Sequence, residues 1–275
     1  MKVTLWGTRG SLASAGPETV RYGGNTSCVE VQGPEGALVV LDAGTGIRRL
    51  GAVVGKARSI DVLLTHLHMD HIQGLGFFEP LFRPDIDVHI WGPPSTTQDL
   101  RSRLTRYLSP PLFPVWLREL PRVILLDVPL GSFTIGALRV DAALVAHPGP
   151  TVGYRISDGR AAVAYIPDHE PALGARTFPE APAWTSGFDL AAGADLLIHD
   201  AQYANEDYPA YVGWGHSSIG QAVAFGALAG VKRLIPFHHN PAYSDERIDR
   251  LIAQAAAGAA GFELIPGTEG LTMTL

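Results

Sequence analysis

The run Thr65-His66-Leu67-His68-Met69-Asp70-His71 places three imidazoles and a carboxylate within six residues. It continues Asp61–Thr65 (DVLLT), an apolar run of the kind that forms a buried strand. Alternate residues of a strand point the same way, so His66 and His68 both reach one ion at the strand end. Asp70 and His71 follow where the chain turns and reach a second ion beside it. Imidazole and carboxylate together suit divalent zinc, manganese or iron. A polar turn of hydrogen-bonded histidines is the plainer alternative, and it leaves this density of donors unexplained.

Two ions need more donors than one segment holds, and the later chain offers them at the same kind of place. His147 follows the apolar run Leu138–Ala146, Asp168 follows Ala161–Ile166, and His238 and His239 follow Lys232–Pro236. Any one of them reads equally well as an ordinary polar residue at a strand end. As a set they share one property: donors delivered from several strand ends converge on one edge of a sheet.

The elements that must position these donors are mostly short strands. Val3–Trp6, Cys28–Val31, Ala37–Leu41, Val88–Trp91, Arg122–Leu126, Gly153–Ile156 and Asp195–His199 join the strands already named. Thr45 is expected to cap a short helix carrying Ile47 and Leu50, and another short helix is expected after His71. Thr96–Leu108 reads as an amphipathic helix with Leu100, Leu104 and Leu108 on one face. Ser218–Ala229 reads as a helix, and Ser244 caps a last one with Ile248, Leu251 and Ile252. Strands come first and then mix with helices, in both halves. That order predicts two sheets packed face to face with helices outside, four layers in one domain of the α/β class (α+β type).

Composition bounds the alternatives. The chain has 275 residues, 46% hydrophobic and 17% charged, which excludes disorder or coiled coil over its whole length. A net charge of −6 excludes a generic binder of polyanions, although bound metal ions would make a local cationic site. One cysteine, Cys28, excludes an internal disulfide framework and a Cys-rich zinc module, and reads as a small buried apolar residue. No apolar run reaches the ~18 residues of a membrane span, and MKVTLWGTRG lacks the apolar region of a signal peptide. A cytoplasmic protein is the expectation. Arg101–Arg106 (RSRLTR) with Arg118 and Arg122 reads as a solvated face rather than a nucleic-acid patch.

THLHMDH, with Asp42 in LDAG before it, resembles the metallo-β-lactamase superfamily of binuclear metallohydrolases. The resemblance implies an αββα sandwich. Residues 1–275 read as one domain, with an inserted loop at about 169–190, where prolines recur without a clear period; such a loop could cover the site as a lid. It implies two divalent ions, zinc first, with manganese or iron compatible. One ion takes His66, His68 and His147; the other takes Asp70, His71 and His238; Asp168 bridges them. Asp42 would order the ligand loop. Phe237-His238-His239-Asn240-Pro241-Ala242-Tyr243 resembles the ending of tRNA 3′-processing relatives, which puts the ligand at His238 and leaves His239 beside it or on the substrate. Members that hydrolyse antibiotics often carry Cys at the bridging position, and oxygen-reducing members usually carry an acid where His68 stands. Asp168 therefore argues against the first branch, and His68 favours hydrolysis over redox chemistry.

A second resemblance narrows the branch. Leu197-Ile198-His199-Asp200-Ala201-Gln202-Tyr203 and Gly215-His216-Ser217-Ser218, with Gln221-Ala222, are similar to segments of the phosphodiesterase branch. There a carboxylate orients a histidine that protonates the leaving oxygen. Asp200 and His216 are the implied pair, Asp standing where the branch has Glu, one methylene longer; His199 reads as structural. Gly7–Ser11 and Arg21–Ser27 resemble nucleotide-processing members, with Asn25 orienting a metal ligand or a phosphate oxygen. The expected function is a binuclear hydrolase, a phosphodiesterase acting on a cyclic nucleotide, a nucleotide phosphodiester or an RNA end through a metal-bound hydroxide. Asp70, His216 and Asp200 are expected to carry the catalysis. A thioester or lactone hydrolase on the same centre is the alternative, and a non-catalytic nucleotide-binding module is the third. The expected partners are a small phosphodiester or nucleotide substrate, with no membrane. Pro110–Leu117 could serve as the contact of a homodimer.

Overall fold

A computed structural model describes the chain except residues 56, 172, 174–177, 180 and 260. The first half contributes β1 (Lys2–Gly7), β2 (Cys28–Gln32), β3 (Leu38–Leu41), β4 (Ser59–Leu63), β5 (Asp87–Gly92) and β6 (Val123–Asp127). The second contributes β7 (Gly131–Ile135), β8 (Leu138–Leu144), β9 (Val152–Ser157), β10 (Ala162–Ile166), β11 (Leu196–Asp200), β12 (Arg233–Phe237), β13 (Glu263–Leu264) and β14 (Thr272–Thr274). They form two seven-stranded sheets, in the orders β14-β1-β2-β3-β4-β5-β6 and β13-β12-β11-β10-β9-β8-β7.

Both sheets follow one plan. An antiparallel meander, β14 through β3 or β7 through β10, passes into parallel strands, β3 through β6 or β10 through β13. Central parallel strands are covered on both faces and must be apolar throughout. β3 (LVVL) and β10 (AVAYI) are buried at every residue. The edge strand β6 is only partly buried.

Among the described residues six helices cover the outer faces: α1 (Ile47–Gly51), α2 (Met69–Ile72), α3 (Leu100–Leu104), α4 (Phe188–Ala191), α5 (Ile219–Ala229) and α6 (Asp245–Ala255). Three apolar cores result. One lies between the sheets, around Val31, Val140, Tyr165 and Phe237. A second lies under α4, α5 and α6, and a third under α1, α2 and α3. Helices, sheet, sheet, helices: the four layers are as expected. Two tyrosines stitch the sheets together. Tyr165 Oη donates to Asp42 Oδ2 (2.9 Å) and Tyr154 Oη to the Leu64 carbonyl (2.7 Å).

Several elements differ from the sequence reading. Thr45 does not cap α1, because Thr45 and Thr26 bond each other's backbone N–H through their hydroxyls at 2.9 Å. The helix expected after His71 begins at Met69 and contains both Asp70 and His71. The helix expected over Thr96–Leu108 shrinks to α3, because the Asp99 carboxylate takes the Ser102 N–H and starts the helix there. β7, β13 and β14 are strands that the sequence reading lacked. α5 and α6 start at Ser218 and Ser244 as expected; each serine Oγ accepts the N–H three residues on. The stretch read as an inserted lid lies partly outside the described residues. Its ends are ordered, with His169 and Glu170 buried at one and α4 at the other. No helix among the described residues is long and apolar enough to cross a membrane.

Candidate metal centre

Parallel strands present their carboxyl ends at one edge, and polar side chains gather there. Asp42 follows β3, Thr65 to His71 follow β4, and Asp168 follows β10. Asp200 ends β11, His238 follows β12, and β8, parallel to β10, leads to His147. The donors fall into two groups whose ligand atoms lie within 4.8 Å of one another: His66, His68, His147 and Asp168, then Asp70, His71 and His238. A third group joins Asp168 and His238 to His216.

Asp168 stands between the two groups. Its Oδ1 lies 3.0 Å from His71 Nε2 and 3.3 Å from His238 Nε2. Its Oδ2 lies 3.7 Å from His66 Nε2 and 3.8 Å from His147 Nε2. One carboxylate thus shows a different oxygen to each trio.

The fit to metal rests on where the protons are held. His71 Nδ1–H donates to Asp42 Oδ2 (2.8 Å), and His147 Nδ1–H donates to the Gly215 carbonyl (2.7 Å). His66 Nδ1–H faces Thr65 Oγ1 (3.0 Å), whose own hydroxyl is committed to Asp42 (2.9 Å). Each bond pins the tautomer and leaves Nε2 as the donor facing the cluster. Rings then confront each other through nitrogens: His71 with His238 at 3.3 Å, His147 with His68 at 3.2 Å. Among the described residues His66 Nε2 is buried with no hydrogen-bond partner, and Asp168 Oδ1 meets only the imidazole nitrogens of His71 and His238. Buried polar atoms are almost always paired, so an orphan aimed into the cluster marks a place for an ion. The donor set fits divalent metal.

Charge agrees. Burial, with the neighbouring ring of His71, pushes His66 well down, and burial also lowers His68 and His147. Neutral imidazoles keep their lone pairs for an ion. Burial alone would raise Asp168, but His238, His71 and His66 outweigh it and hold the carboxyl well below its ordinary range. His71 is different: burial opposes its charge, yet Asp168, Asp70 and Asp42 together raise it well above the ordinary value. An ion arriving there must displace that Nε2 proton, so loading this site is coupled to proton release.

Backbone strain concentrates at the same edge. Among the described residues four non-glycine residues have positive φ, and three of them adjoin the centre: Ser11 (59°), Asp42 (60°) and His238 (59°). Ser11 N–H donates to Asp70 Oδ2 (2.7 Å). Such conformations cost roughly 1–3 kcal/mol each and persist where surrounding structure imposes them. His238 also needs Gly10, since a Cβ there would collide with its imidazole.

His216 sits beside the centre, its ring stacked 5.0 Å from His238. Its Nδ1–H donates to Asp200 Oδ2 (2.7 Å), so the shorter Asp reaches the histidine. Asp200 is held in turn by N–H groups of His169 (3.0 Å), Gln202 (3.0 Å) and Ser217 (3.2 Å). Burial would lower the His216 pKa, but the charge and hydrogen bond of Asp200, with Asp168 and Asp70, lift it to about 9.

Two residues singled out by sequence are placed elsewhere. The Asn25 amide donates to Glu269 (3.0 Å) and touches none of the donors. The His239 ring is buried, donates to the Gly267 carbonyl (3.0 Å) and packs edge-on against Tyr22; burial lowers its pKa to about 3. It is not placed to contact a substrate. Sequence reasoning also missed residues that matter here. Tyr165 and Thr65 both bond Asp42, and the buried Glu170 carboxylate takes the Gly213 and Gly215 N–H groups (2.9 and 2.8 Å). Glu170 follows Asp168-His169 directly, and that proximity to a strand-end carboxylate was the one available signal. Arg103, read as part of a solvated face, lines a cavity of about 280 Å³ with His66, His68, Pro93, Ser95 and Thr97. A larger cavity, about 730 Å³, opens at the other end of the strands and is lined by none of the donors of the cluster.

Residues 38–239 match the family model described as a beta-lactamase superfamily domain. The chain belongs to that superfamily. It is 30% identical to ribonuclease Z of Mycobacterium avium (strain 104), over 95% of this chain and 94% of that protein. The fold agrees with two solved members. The metallo-β-lactamase fold protein YhfI from Bacillus subtilis superposes with a TM-score of 0.74 at 20% identity, covering 99% of both chains. The short form of human tRNase Z gives 0.67 at 23% identity, covering 100% of this chain and 99% of that one.

Proposed function

We propose that the chain is a metal-dependent phosphodiesterase acting on a nucleotide diester or an RNA end. The observation that carries this reading is the Asp200–His216 pair set against the donor cluster. Two divalent ions, zinc first, would be held by His66, His68 and His147 and by Asp70, His71 and His238, with Asp168 between them. Ions so held supply Lewis-acid polarisation of the phosphoryl oxygens and lower the pKa of the attacking water.

The chain's own residues do the rest. Asp42 and the Gly215 carbonyl keep His71 and His147 in the donating tautomer. Asp200 holds the Nδ1 proton of His216 and favours the charged ring. The Nε2–H of His216, which no described residue engages, then donates to the leaving oxygen. Proton transfer of this kind contributes ~10²–10⁴-fold. An alkoxide leaving group needs that proton; a thiolate does not. A thioester hydrolase would use the cluster and leave the Asp200–His216 pair without work.

We read the substrate as smaller than a folded tRNA. The alignment with the M. avium ribonuclease Z runs over 305 positions, whereas this chain has 275 residues in all. The relative thus carries at least thirty positions that this chain lacks. The test is hydrolysis of bis(p-nitrophenyl) phosphate by metal-loaded protein, chelator-treated protein and Asp70→Ala. Turnover in the first and loss in the other two supports the reading. No turnover by protein that elemental analysis shows to hold metal would move it to thioesters and lactones.

A further inference from the structure

The turn that delivers His216 also presents an aromatic side chain that the chemistry above does not use. Trp214 lies two residues before His216 and is 60% exposed. Its indole meets the Tyr211 ring edge-on (5.4 Å, 89°), and Tyr211 lies flat on Tyr203 (4.3 Å, 5°). Tyr203 is buried and approaches His216 at 6.1 Å. The aromatic chain therefore runs from solvent to the side of the proposed acid.

The turn is held in place at some cost. Gly213 and Gly215 have φ of +88° and +86°, and a Cβ on Gly215 would strike Pro148 and His147. Glu170 is fully buried, and its carboxylate accepts from Tyr208 Oη (2.9 Å), Gly213 N and Gly215 N. Burying a carboxylate costs several kcal/mol before its hydrogen bonds return the loss. Core packing gives no reason for that arrangement, because the turn exposes Trp214 and Val212 instead of burying them.

We propose that Trp214, backed by Tyr211 and Tyr203, is a stacking platform for the nucleobase on the leaving side of the scissile phosphodiester. The proposal rests on the phosphodiesterase reading and deepens it. The reasons are geometric and electrostatic. Two residues of chain span at most about 7 Å, so the backbone of Trp214 lies close to that of His216, and the ring series Trp214, Tyr211, Tyr203 leads back to the His216 ring, the proposed donor to the leaving oxygen. Every base has a π-face, and stacking on an aromatic ring needs no cation. Residues 204–218 contain no Lys or Arg, and the nearby Arg247 is already paired with Asp207 (2.7 Å) and Glu206 (3.8 Å), so no basic cluster of the kind that holds an anionic lipid surface lies there. A base, neutral and flat, fits such a surface, while its phosphate is left to the metal centre.

The test uses the metal-loaded enzyme and two diesters that differ only on the leaving side, one with adenosine and one with the abasic ribose. In the wild type kcat/KM favours the adenosine diester by about 5- to 100-fold, the range that base–aromatic stacking supplies. Trp214→Ala brings the ratio close to one, and Trp214→Phe keeps most of it. The same ratio in wild type and Trp214→Ala overturns the platform. A second measurement does not depend on turnover: AMP, but not ribose 5-phosphate, quenches the part of the tryptophan fluorescence that Trp214→Phe removes. Quenching without turnover of any diester keeps Trp214 as a base-stacking surface and sinks the phosphodiesterase reading, and the leaving-side assignment with it. Turnover with neither base preference nor quenching does the reverse.

Discussion

In the amino-terminal half, four of the donors lie within one six-residue run after β4, on one turn and the short helix α2. In the carboxyl-terminal half, His147, Asp168 and His238 each come from a different strand, and Asp200 and His216 come from two further places. The first set depends on local chain geometry. The second depends on the register of β8 through β12, since a slip of one residue turns a strand-end side chain to the other face. The buried polar braces differ accordingly. Asp42 orders most of the first set, through Thr65 and His71, and the Ser11 N–H holds Asp70. The second set has the Glu170 contacts, the Asp200 contacts and a buried pair, His169 Nδ1–H to His199 Nε2 at 2.9 Å. His199 passes its own Nδ1–H to the Asp200 carbonyl (2.8 Å), and burial lowers its pKa to about 4, so this pair stays neutral and ties the ends of β10 and β11. Dispersed donors need dispersed bracing.

The largest effect should come from the residue that belongs to both trios. Asp168→Ala is expected to lower kcat/KM by roughly 10³-fold or more, because metal polarisation is worth several kcal/mol and each ~1.4 kcal/mol is tenfold. His68→Ala, at the exposed rim, should cost less in both rate and metal content. Equal losses by kinetics and elemental analysis would break the contrast between the two sets.

The pH profile tests the second half next. A general acid works only while protonated, so activity falls as pH rises through its pKa. His216 stands at about 9 through Asp200, and cations bound beside it lower that value. The alkaline limb of kcat/KM is therefore expected at or below about pH 9, and it should vanish in His216→Ala. A limb that persists unchanged in the variant assigns the proton elsewhere.

Asp42→Asn tests the first half, since it keeps the shape and removes the charge behind His71. Metal affinity, measured by chelator competition, should fall about 10- to 100-fold. An unchanged affinity would mean that the turn after β4 holds itself. The smallest effect is expected away from both sets. Ser244→Ala removes the α6 cap and should cost about 1 kcal/mol in denaturant unfolding, with kcat unchanged.

This same division sets what could be read from sequence. The donors after β4 are legible because four polar residues interrupt an apolar run at once. His147, Asp168 and His238 are legible as polar ends of apolar strands, and Ser218 and Ser244 as helix caps. The bracing is not legible. Tyr165 lies 123 residues from the Asp42 that it bonds, and its phenol looks like any other apolar strand residue. Glu170 acts on backbone N–H groups 43 and 45 residues away, and the Gly215 carbonyl on His147 across 68; backbone partners carry no sequence signal. β13 and β14 are too short, at two and three residues, for alternation to register. The helix expected over Thr96–Leu108 failed because a leucine period survives in a chain that turns after one helical segment.

One comparison of rates bears most directly on a centre that pairs metal with a positioned acid. Wild type and His216→Ala would be assayed, both metal-loaded, on two phosphodiesters that differ only in leaving group, p-nitrophenolate and a nucleoside alkoxide. The expected result is a loss of at least ~100-fold on the alkoxide and a loss of only a few-fold on p-nitrophenolate, which leaves without a proton. The same loss on both substrates would contradict it, and would make His216 a residue that shapes the site without donating the proton.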